Sequence, residues 1–339
     1  MKEIICISGL LSVVLLLTSC VTGNNNASHS SMKYRDEMRE FIQDISSWAK
    51  NSSPGFFIIP QNGQELFTTT GIPDGSPVSS YLNAIDGSGR EDLFYGYTGD
   101  DISTPSSDTE WMFSFLDLGE AYGIEALVTD YCSTQWKIDS SYTWCEEAGY
   151  ISFAADHRDL DNIPAYPAEP WNMNQEDITR LSEAGNFLYL INPGQYPSRQ
   201  EFMNAVAATE YDLLIIDLFW NGEQLTAQDI SQLRNKPGGG SRLIIAYMSI
   251  GEAEDYRYYW QQSWSSTPPS WLHEENPDWV GNYLVEYWDS DWQEIITGSD
   301  NSYLGRIIDS GFDGVYLDKV DTFETWEDQS EGKLNAERN

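Results

Sequence analysis

The sequence of 339 residues predicts an α/β fold, and within that class a (β/α)8 TIM barrel. Apolar, β-branched runs alternate with helical patterns along most of the chain, which is typical of a parallel sheet covered by helices. Several of these runs end on a polar or acidic residue, and barrel active sites form at the carboxyl ends of the strands. A doubly wound open sheet is the structural alternative, but no glycine-rich phosphate-binding turn follows any run.

The composition excludes one class of partner. The chain has 54 acidic and 18 basic residues, so its formal net charge is −36. Binding to nucleic acid depends mainly on Lys and Arg, and no nucleic-acid partner is expected. With 40% hydrophobic and 21% charged residues, the chain is globular rather than disordered. Three histidines and four cysteines leave little for a metal site, and no cofactor is expected.

The N-terminus has the pattern of a bacterial lipoprotein signal. Lys2 precedes an apolar run that is too short to remain as a membrane helix, and the run closes on Leu-Thr-Ser before Cys20. We therefore expect a signal peptide at residues 1–19 and a lipid on Cys20; an ordinary secretory peptide is the alternative. Residues 20–33 are rich in Asn and Ser and predict a flexible tether, followed by a single barrel domain over residues 34–339.

Such a signal predicts an extracytoplasmic protein, held by acyl chains on a bacterial membrane in the periplasm or on the cell surface. Disulfides are permitted in these compartments. Cys132 and Cys145 either pair or remain separate buried thiols, and their spacing does not decide between the two.

The predicted elements alternate along the chain. An amphipathic helix is predicted over Arg35–Lys50, and further helices over Arg199–Ala207 and Asp291–Ser310. Nine segments have strand character: residues 55–63, Glu91–Gly96, Glu125–Tyr131, Tyr150–Ala154, Phe187–Asn192, Asp212–Asp217, Arg242–Ser249, Tyr283–Tyr287 and Gly314–Asp318. A barrel needs eight. Tyr150–Ala154 is the predicted extra strand, because it is short and leads into an irregular stretch that contains prolines.

The order of the elements is unusual for a barrel. An ordinary (β/α)8 chain begins with a strand and finishes with a helix. This chain begins with the helix at Arg35–Lys50 and finishes shortly after the strand that ends at Asp318. A barrel cut between that strand and its following helix has this order, and the first helix can then pack beside the last strand.

Acidic residues at the ends of four predicted strands are the candidate catalytic groups. Asp318, Asp217 and Asp130 lie at strand tips, and Glu252 follows a buried strand and a glycine. A single Asp in such a position is usually a turn or helix cap. Its recurrence at the same end of many strands favours an active site over that explanation.

Carboxylates on one rim with aromatic residues nearby predict carbohydrate chemistry. Glycoside hydrolysis uses one protonated and one ionised carboxyl group, and sugar rings pack on Trp and Tyr faces. The candidate substrate-binding residues are Asp321, Gln61, Asn62, Tyr95, Tyr131, Trp220, Tyr256 and Trp288. Two alternatives stay open. One is a non-catalytic carbohydrate-binding lipoprotein, and the other is a metal-dependent hydrolase with Asp217, Glu252 and Asp318 as oxygen ligands.

Long motifs resemble a known family. The motifs are IAYMSIGEAEDYRYYW (245–260), ENPDWVGNYLVEYWDSDWQEII (275–296), GFDGVYLDKVDTFE (311–324), PGFFIIPQNGQELF (54–67), YLNAIDGSGREDLFYGY (81–97) and LVTDY (127–131). They are similar to secreted bacterial proteins of the endo-α-1,4-polygalactosaminidase type, which form glycoside hydrolase family 114. The likeness covers most of the chain from residue 35 onward.

The order of the motifs differs from that of the family. There, the segment like DGVYLDKVD precedes the segment like IIPQNG, whereas here the two stand at opposite ends of the chain. We interpret the protein as a circular permutant, with residues 156–183 as the new connection. The resemblance implies a (β/α)8 barrel, a polysaccharide substrate of the α-1,4-galactosamine type, and Asp318 and Asp130 as the catalytic pair. In the polygalactosaminidases that the chain resembles, the second position of this pair is Glu, whereas this sequence has Asp130, a shorter side chain.

Overall fold

The computed structural model of the chain describes residues 25–336. The predicted signal peptide, Cys20 and the first residues of the predicted tether lie outside the described residues. Within the described part of the chain, no helix is both long enough and apolar enough to cross a membrane.

The described residues contain eight strands that pair in parallel, which confirms the α/β class. The strands are β1 (Phe57–Pro60), β2 (Gly87–Glu91), β3 (Glu125–Tyr131), β4 (Ile151–Ala155), β5 (Phe187–Leu190), β6 (Leu213–Asp217), β7 (Leu243–Ser249) and β8 (Gly314–Asp318). Most of their residues are buried on both faces, as expected for parallel strands covered by helices.

The eight strands form two sheets, with the orders β1-β8-β7-β6-β5 and β2-β3-β4. Two isolated parallel bridges connect the edges of these sheets. Gln61, just after β1, bridges Gly89 of β2, and Ser152 of β4 bridges Asn186, just before β5. Each strand therefore neighbours the next one along the chain, and β8 neighbours β1.

The choice of Tyr150–Ala154 as the extra strand is wrong. This segment forms β4, which pairs with β3 along its whole length. The segment outside the parallel sheets is Asn282–Val285, which pairs antiparallel with Glu252–Glu254 and Leu272–Glu275. All five residues of β4 are buried, whereas Asn282 and Tyr283 are partly exposed. Burial on both faces, rather than strand length, separates a parallel strand from a peripheral hairpin.

The second strand also differs from its prediction at Glu91–Gly96. β2 covers the preceding residues Gly87–Glu91, and Glu91 is its last residue. Glycines are rare in strands, so this segment lacks the usual strand composition. Here a glycine is required: a Cβ added at Gly89 would lie 2.0 Å from the hydroxyl oxygen of Tyr316 in β8.

Nine α-helices lie in the described part of the chain: α1 (Asn25–Ser52), α2 (Ser79–Leu82), α3 (Ser106–Ala121), α4 (Gln135–Ala148), α5 (Arg199–Ala207), α6 (Ala227–Leu233), α7 (Ser290–Ile296), α8 (Tyr303–Asp309) and α9 (Thr322–Ala336). The prediction for α5 is confirmed at both ends. The helix predicted over Asp291–Ser310 is two helices, interrupted near Gly298, which has a φ of 96°.

The ends of the chain pack together. Helix α1 begins at Asn25 rather than Arg35, so part of the predicted tether is helical; neither Gly nor Pro interrupts residues 24–52. Helix α9 follows β8 and packs against α1, where Arg35 and Glu327 form an ion pair of 2.8 Å. Helix α1 is predicted to pack directly beside the last strand, β8. In the structure, α1 and α9 together occupy this place.

Cys132 and Cys145 are both buried and both free, so the alternative of separate thiols is the one that the structure contains. Burial raises the pKa of each thiol well above its ordinary value. Neither cysteine is therefore suited to act as a nucleophile.

Candidate active site

Asp318 lies at the carboxyl end of β8, two residues after the buried Tyr316. Alternate residues of a strand share a face, so both side chains point away from the helices. The phenol of Tyr247 in β7 donates a hydrogen bond of 2.6 Å to Oδ2 of Asp318. The backbone N–H of Lys319 donates one of 2.7 Å to Oδ1. Both oxygens of this carboxyl group are thus held in place from the sheet.

The surroundings of Asp318 shift its protonation. Burial raises the pKa of Asp318 to about 7, and the negative charges of Glu91 and Asp321 act in the same direction. The ammonium group of Lys319 and the hydrogen bond from Tyr247 oppose that rise. A carboxyl group that still holds its proton near neutral pH is a requirement of acid catalysis in glycosidases.

Glu91 is the second carboxyl group at this position, and the sequence analysis did not single it out. Its Oε2 accepts hydrogen bonds from the side-chain amides of Gln61, at 2.5 Å, and Asn62, at 2.9 Å. The phenol of Tyr131 donates to Oε1. These three donors come from the ends of β1 and β3, on either side of Glu91, and such donors interact best with an ionised carboxylate.

The misplaced strand explains why Glu91 was missed. A prediction of Glu91–Gly96 places Glu91 at the amino end of a strand, away from the expected site. Two residues that the sequence predicts in the site could have led to Glu91. They are Gln61 and Asn62, whose side-chain amides both donate hydrogen bonds to it. The structure confirms neither their role nor that of Tyr131 in binding substrate, but it brings all three to one carboxylate.

Asp130 lies in a different place from Asp318. Tyr131 faces Glu91, so the adjacent Asp130 points to the opposite face of β3, towards the helices. Its Oδ1 accepts hydrogen bonds from the backbone N–H of Phe94, at 2.8 Å, and Tyr95, at 3.2 Å, and its Oδ2 accepts one of 2.6 Å from the hydroxyl of Ser141. Burial raises its pKa to about 6. These contacts favour a structural role for Asp130.

Asp217 belongs to a buried ion network. Arg257 lies between Asp217, at 2.7 Å, and Glu254, at 2.6 Å, and all three side chains are almost inaccessible. Burial raises the pKa of Asp217, while the charge of Arg257 opposes the rise. A carboxylate committed to a buried guanidinium in this way anchors the loop after β7 to the end of β6.

Glu252 and Lys319 form the remaining charged contact at the site. The Nζ of Lys319 lies 3.1 Å from Oε1 of Glu252, which also accepts a hydrogen bond of 2.8 Å from the side-chain amide of Asn276. Lys319 has a φ of 61°, a rare conformation for a residue with a side chain. Burial also raises the pKa of Asp321, two residues further on. Glu252 therefore holds the ammonium group whose charge opposes the rise in the pKa of Asp318.

The aromatic residues predicted to bind substrate are dispersed. Tyr95 is buried and stacks on Trp144 at 6.0 Å, on the outer side of β3. Trp288 packs against Tyr34 and Trp326, next to α1 and α9. Trp220 is partly buried in the short hairpin after β6, and Tyr256 is 57% exposed, with its hydroxyl on Glu254. Of the predicted aromatic residues, the contacts place Tyr131 beside the carboxyl pair.

One cation covers the ring of Tyr131. The guanidinium of Arg158, from the loop after β4, lies 4.1 Å from the ring centroid and forms a 2.6 Å ion pair with Asp92.

In the described part of the chain, no group of three or more His, Cys, Asp or Glu side chains is arranged to hold a metal ion. The three proposed metal ligands contact Arg257, Lys319 and Tyr247 respectively.

A parallel α/β fold with two carboxyl groups at the carboxyl ends of two strands, one on either side of β1, defines a class of protein to which many glycosidases belong. The model of glycoside-hydrolase family GH114 matches residues 172–339. This part of the chain, which includes β5 to β8 and Asp318, is similar to that family, whose fold is of the TIM-barrel type.

Relatives among curated proteins are uncharacterised. The chain is 39% identical over 181 residues to a protein of Methanocaldococcus jannaschii, covering 52% of this chain and 49% of the relative. It is 40% identical over 121 residues to a protein of Thermotoga maritima, covering 36% of each chain. A Deinococcus radiodurans protein is 41% identical over 125 residues, covering 37% of this chain and 38% of the relative. The chain thus spans about half, or less, of the curated relatives that it matches.

Proposed function

We propose that the protein is a lipid-anchored, extracytoplasmic glycoside hydrolase whose catalytic pair is Asp318 and Glu91. The observation that carries this proposal is the meeting of these two carboxyl groups at the carboxyl ends of β8 and β2, on either side of β1. Each is oriented by side chains from its neighbouring strands, and the charge of Glu91 raises the pKa of Asp318.

The electrostatics fit the reaction. Burial and the nearby charge of Glu91 raise the pKa of Asp318 to about 7, so this carboxyl group can hold a proton near neutral pH. Glycoside hydrolysis needs this state, in which one carboxyl group donates a proton to the leaving oxygen and the other acts as a carboxylate. Tyr247, Gln61 and Tyr131 fix the two groups before substrate arrives, which reduces the reorganisation needed in the reaction.

A closed, circularly permuted (β/α)8 barrel is part of the proposal. The two isolated bridges, Gln61 to Gly89 and Ser152 to Asn186, support closure, because they connect both pairs of sheet edges. The family match begins at residue 172, after the first four strands, and this supports the permutation. In that case Glu91 belongs to the part of the barrel that has moved to the front of the chain.

We further propose an amino-sugar polysaccharide of the α-1,4-galactosamine type as the substrate. The resemblance of the long motifs favours this sugar, and the charge of −36 suits a partly de-acetylated polymer, which is cationic. The signal-like N-terminus and Cys20 favour an anchored protein outside the cytoplasm, where such polymers occur.

The test is release of reducing ends from partly de-acetylated α-1,4-galactosamine polymer by the full-length protein. Asp318→Asn and Glu91→Gln should each lower the rate by about a thousandfold or more, since each removes one half of the pair. Asp130→Asn is the matched control: it keeps an acceptor for the two backbone N–H groups and should retain most of the activity. Activity lost in Asp130→Asn but kept in Glu91→Gln would contradict the assignment.

The same assay separates the alternatives. Binding of the polymer without release of reducing ends by the folded wild type would favour the non-catalytic carbohydrate-binding lipoprotein. Loss of activity on adding a chelator would favour the metal-dependent hydrolase, whereas a carboxylate pair acts without a metal.

A further inference from the structure

An apolar groove lies on the outer surface, between α3 and α4. It has a volume of about 480 Å³ and is lined by Phe94, Phe113, Trp144, Glu147 and Ala148. Its size is within the range of pockets that hold small ligands. None of the side chains that surround Asp318 and Glu91 lines it, so this groove is separate from the candidate active site.

The rings in the groove form a supported platform. Trp144 is 41% exposed, yet its ring lies 5.1 Å from that of Phe94 and stacks on Tyr95 at 6.0 Å with an angle of 13°. Phe94 in turn meets Phe113 edge to face at 5.6 Å. Rings packed on one side present the other side to solvent in a fixed orientation. Such a face suits the C–H groups of a pyranose ring.

A carboxylate stands at the edge of this platform. Glu147 is exposed, and no hydrogen bond or ion pair joins its side chain to another described residue. Its neighbour Glu146, by contrast, accepts a hydrogen bond from Trp171. The ammonium group of Lys137, the basic residue of α4, is held by Asp101 at 2.9 Å. The groove therefore combines an aromatic face with an uncompensated negative charge, which favours a ligand that is apolar on one face and cationic at one end.

We propose that this groove binds one protonated hexosamine unit of a polysaccharide, with the sugar ring on Trp144 and its ammonium group on Glu147. The choice of sugar depends on the proposed function, while the aromatic and acidic lining is independent of it. Phe94 is three residues from Glu91 on the same segment, so a polymer held in the groove stays close to the active site. Attachment at two points raises the local concentration of substrate without any new catalytic contact.

Retention of the full-length Asp318→Asn protein on partly de-acetylated galactosamine polymer tests the groove without hydrolysis. Trp144→Ala should weaken retention about tenfold, and Glu147→Gln about two- to fivefold. Trp111→Ala is the matched control, because Trp111 lies on α3 with a similar exposure of 42% and does not line the groove. Full N-acetylation of the polymer, which removes its positive charge, should weaken retention of the Asp318→Asn protein at least as much as Glu147→Gln does.

Three outcomes would overturn the groove: equal retention of Trp144→Ala and Trp111→Ala, unchanged retention of Glu147→Gln, or equal retention on the N-acetylated polymer. The active-site proposal fails in a different way. If the wild type releases no reducing ends but Trp144→Ala still reduces retention, the result supports the proposed sugar-binding groove and contradicts the proposed hydrolase activity. If the wild type is active and Trp144→Ala changes neither retention nor turnover, the result supports the hydrolase activity and contradicts the proposed sugar-binding groove.

Discussion

At the scale of single residues, Asp318 is in an environment that its ionised form tolerates poorly. It is largely removed from water, it faces the charge of Glu91, and its main compensation is Lys319. Natural active sites commonly keep such arrangements at a cost in stability, because the reaction needs a carboxyl group with an altered proton affinity. Two predictions follow from the direction of this shift.

The first concerns the rate. Activity should fall as the pH rises through about 7, because Asp318 loses its proton there. The measurement is kcat/KM for the galactosamine polymer against pH. Activity that instead increases through this range and stays high above it would mean that the reaction needs no protonated carboxyl group in the pair.

The second concerns stability. A carboxyl group whose pKa is raised in the folded state stabilises the fold below its unfolded pKa, near 3.8, and loses this contribution as the pH rises through about 7. Asp318→Asn should therefore stabilise the protein at pH 8, on the order of 1 to 3 kcal/mol, and change it little at pH 3.5. Denaturant unfolding at both pH values measures this. Equal effects at the two values would contradict the raised pKa.

The contact between Tyr131 and Glu91 gives a third prediction. Tyr131→Phe removes the hydroxyl that donates to Glu91 and leaves the ring under Arg158. We expect kcat to fall about ten- to a hundredfold, with less than about 1 kcal/mol lost in stability. Steady-state kinetics and thermal unfolding of the same sample separate the two effects. A loss of stability without a loss of kcat would give the hydroxyl a purely structural role.

At the scale of elements, sequence patterns identify best the segments in which the apolar residues are also the buried ones. Helix α5 and strand β3 lie where they are predicted, because their apolar periodicity agrees with their surroundings. β2 has the sequence GSGRE, and no propensity favours a strand there. The packing of Tyr316 against Gly89 decides its position, and sequence periodicity does not contain that contact between distant parts of the chain.

Gly89 tests this explanation. Gly89→Ala places a Cβ 2.0 Å from the Tyr316 hydroxyl oxygen, so β2 or β8 must move, and we expect a loss of about 2 to 4 kcal/mol. The control is Gly194→Ala, whose Cβ would meet its nearest heavy atom at 3.9 Å. Denaturant unfolding compares the two variants. Tyr316→Phe should rescue Gly89→Ala only in part, because the ring carbons Cζ and Cε2 that remain would still lie 2.4 and 2.7 Å from the added Cβ. Equal losses in Gly89→Ala and Gly194→Ala would contradict this explanation.

At the scale of the whole molecule, sequence reasoning predicts one half of the candidate site better than the other. Asp318 is identified from its strand tip, and its position is unchanged in the structure. Glu91 can be identified only from the true end of β2. The sequence pattern makes Asp130 equivalent to Asp318, because it does not show which face of the strand Asp130 occupies. Successive side chains of β3 point to opposite faces of the sheet. Tyr131 therefore reaches the candidate site, whereas Asp130, one residue earlier, points towards the helices.

The proposed permutation makes a prediction about the order of the strands. Since α1 packs on α9, a short linker can join residue 336 to residue 34, and new ends can open near residue 172 in the irregular connection. Such a rearranged protein should fold, with its thermal midpoint within about 10 °C of the wild type. It should also keep its activity on the polymer. Failure of this variant to fold, with the linker varied in length, would count against the permutation.

The placement of Glu91 near the start and Asp318 near the end of the chain also affects biosynthesis. A growing polypeptide acquires Glu91 early, but β8 becomes available only when all but the last 21 residues have been made. Strand β1, which lies between the two carboxyl groups, has to wait for β8 before it gains its partner. Every truncated product of translation that stops before residue 318 therefore lacks half of the pair. On the proposed assignment of the pair, hydrolysis cannot begin until synthesis has passed residue 318.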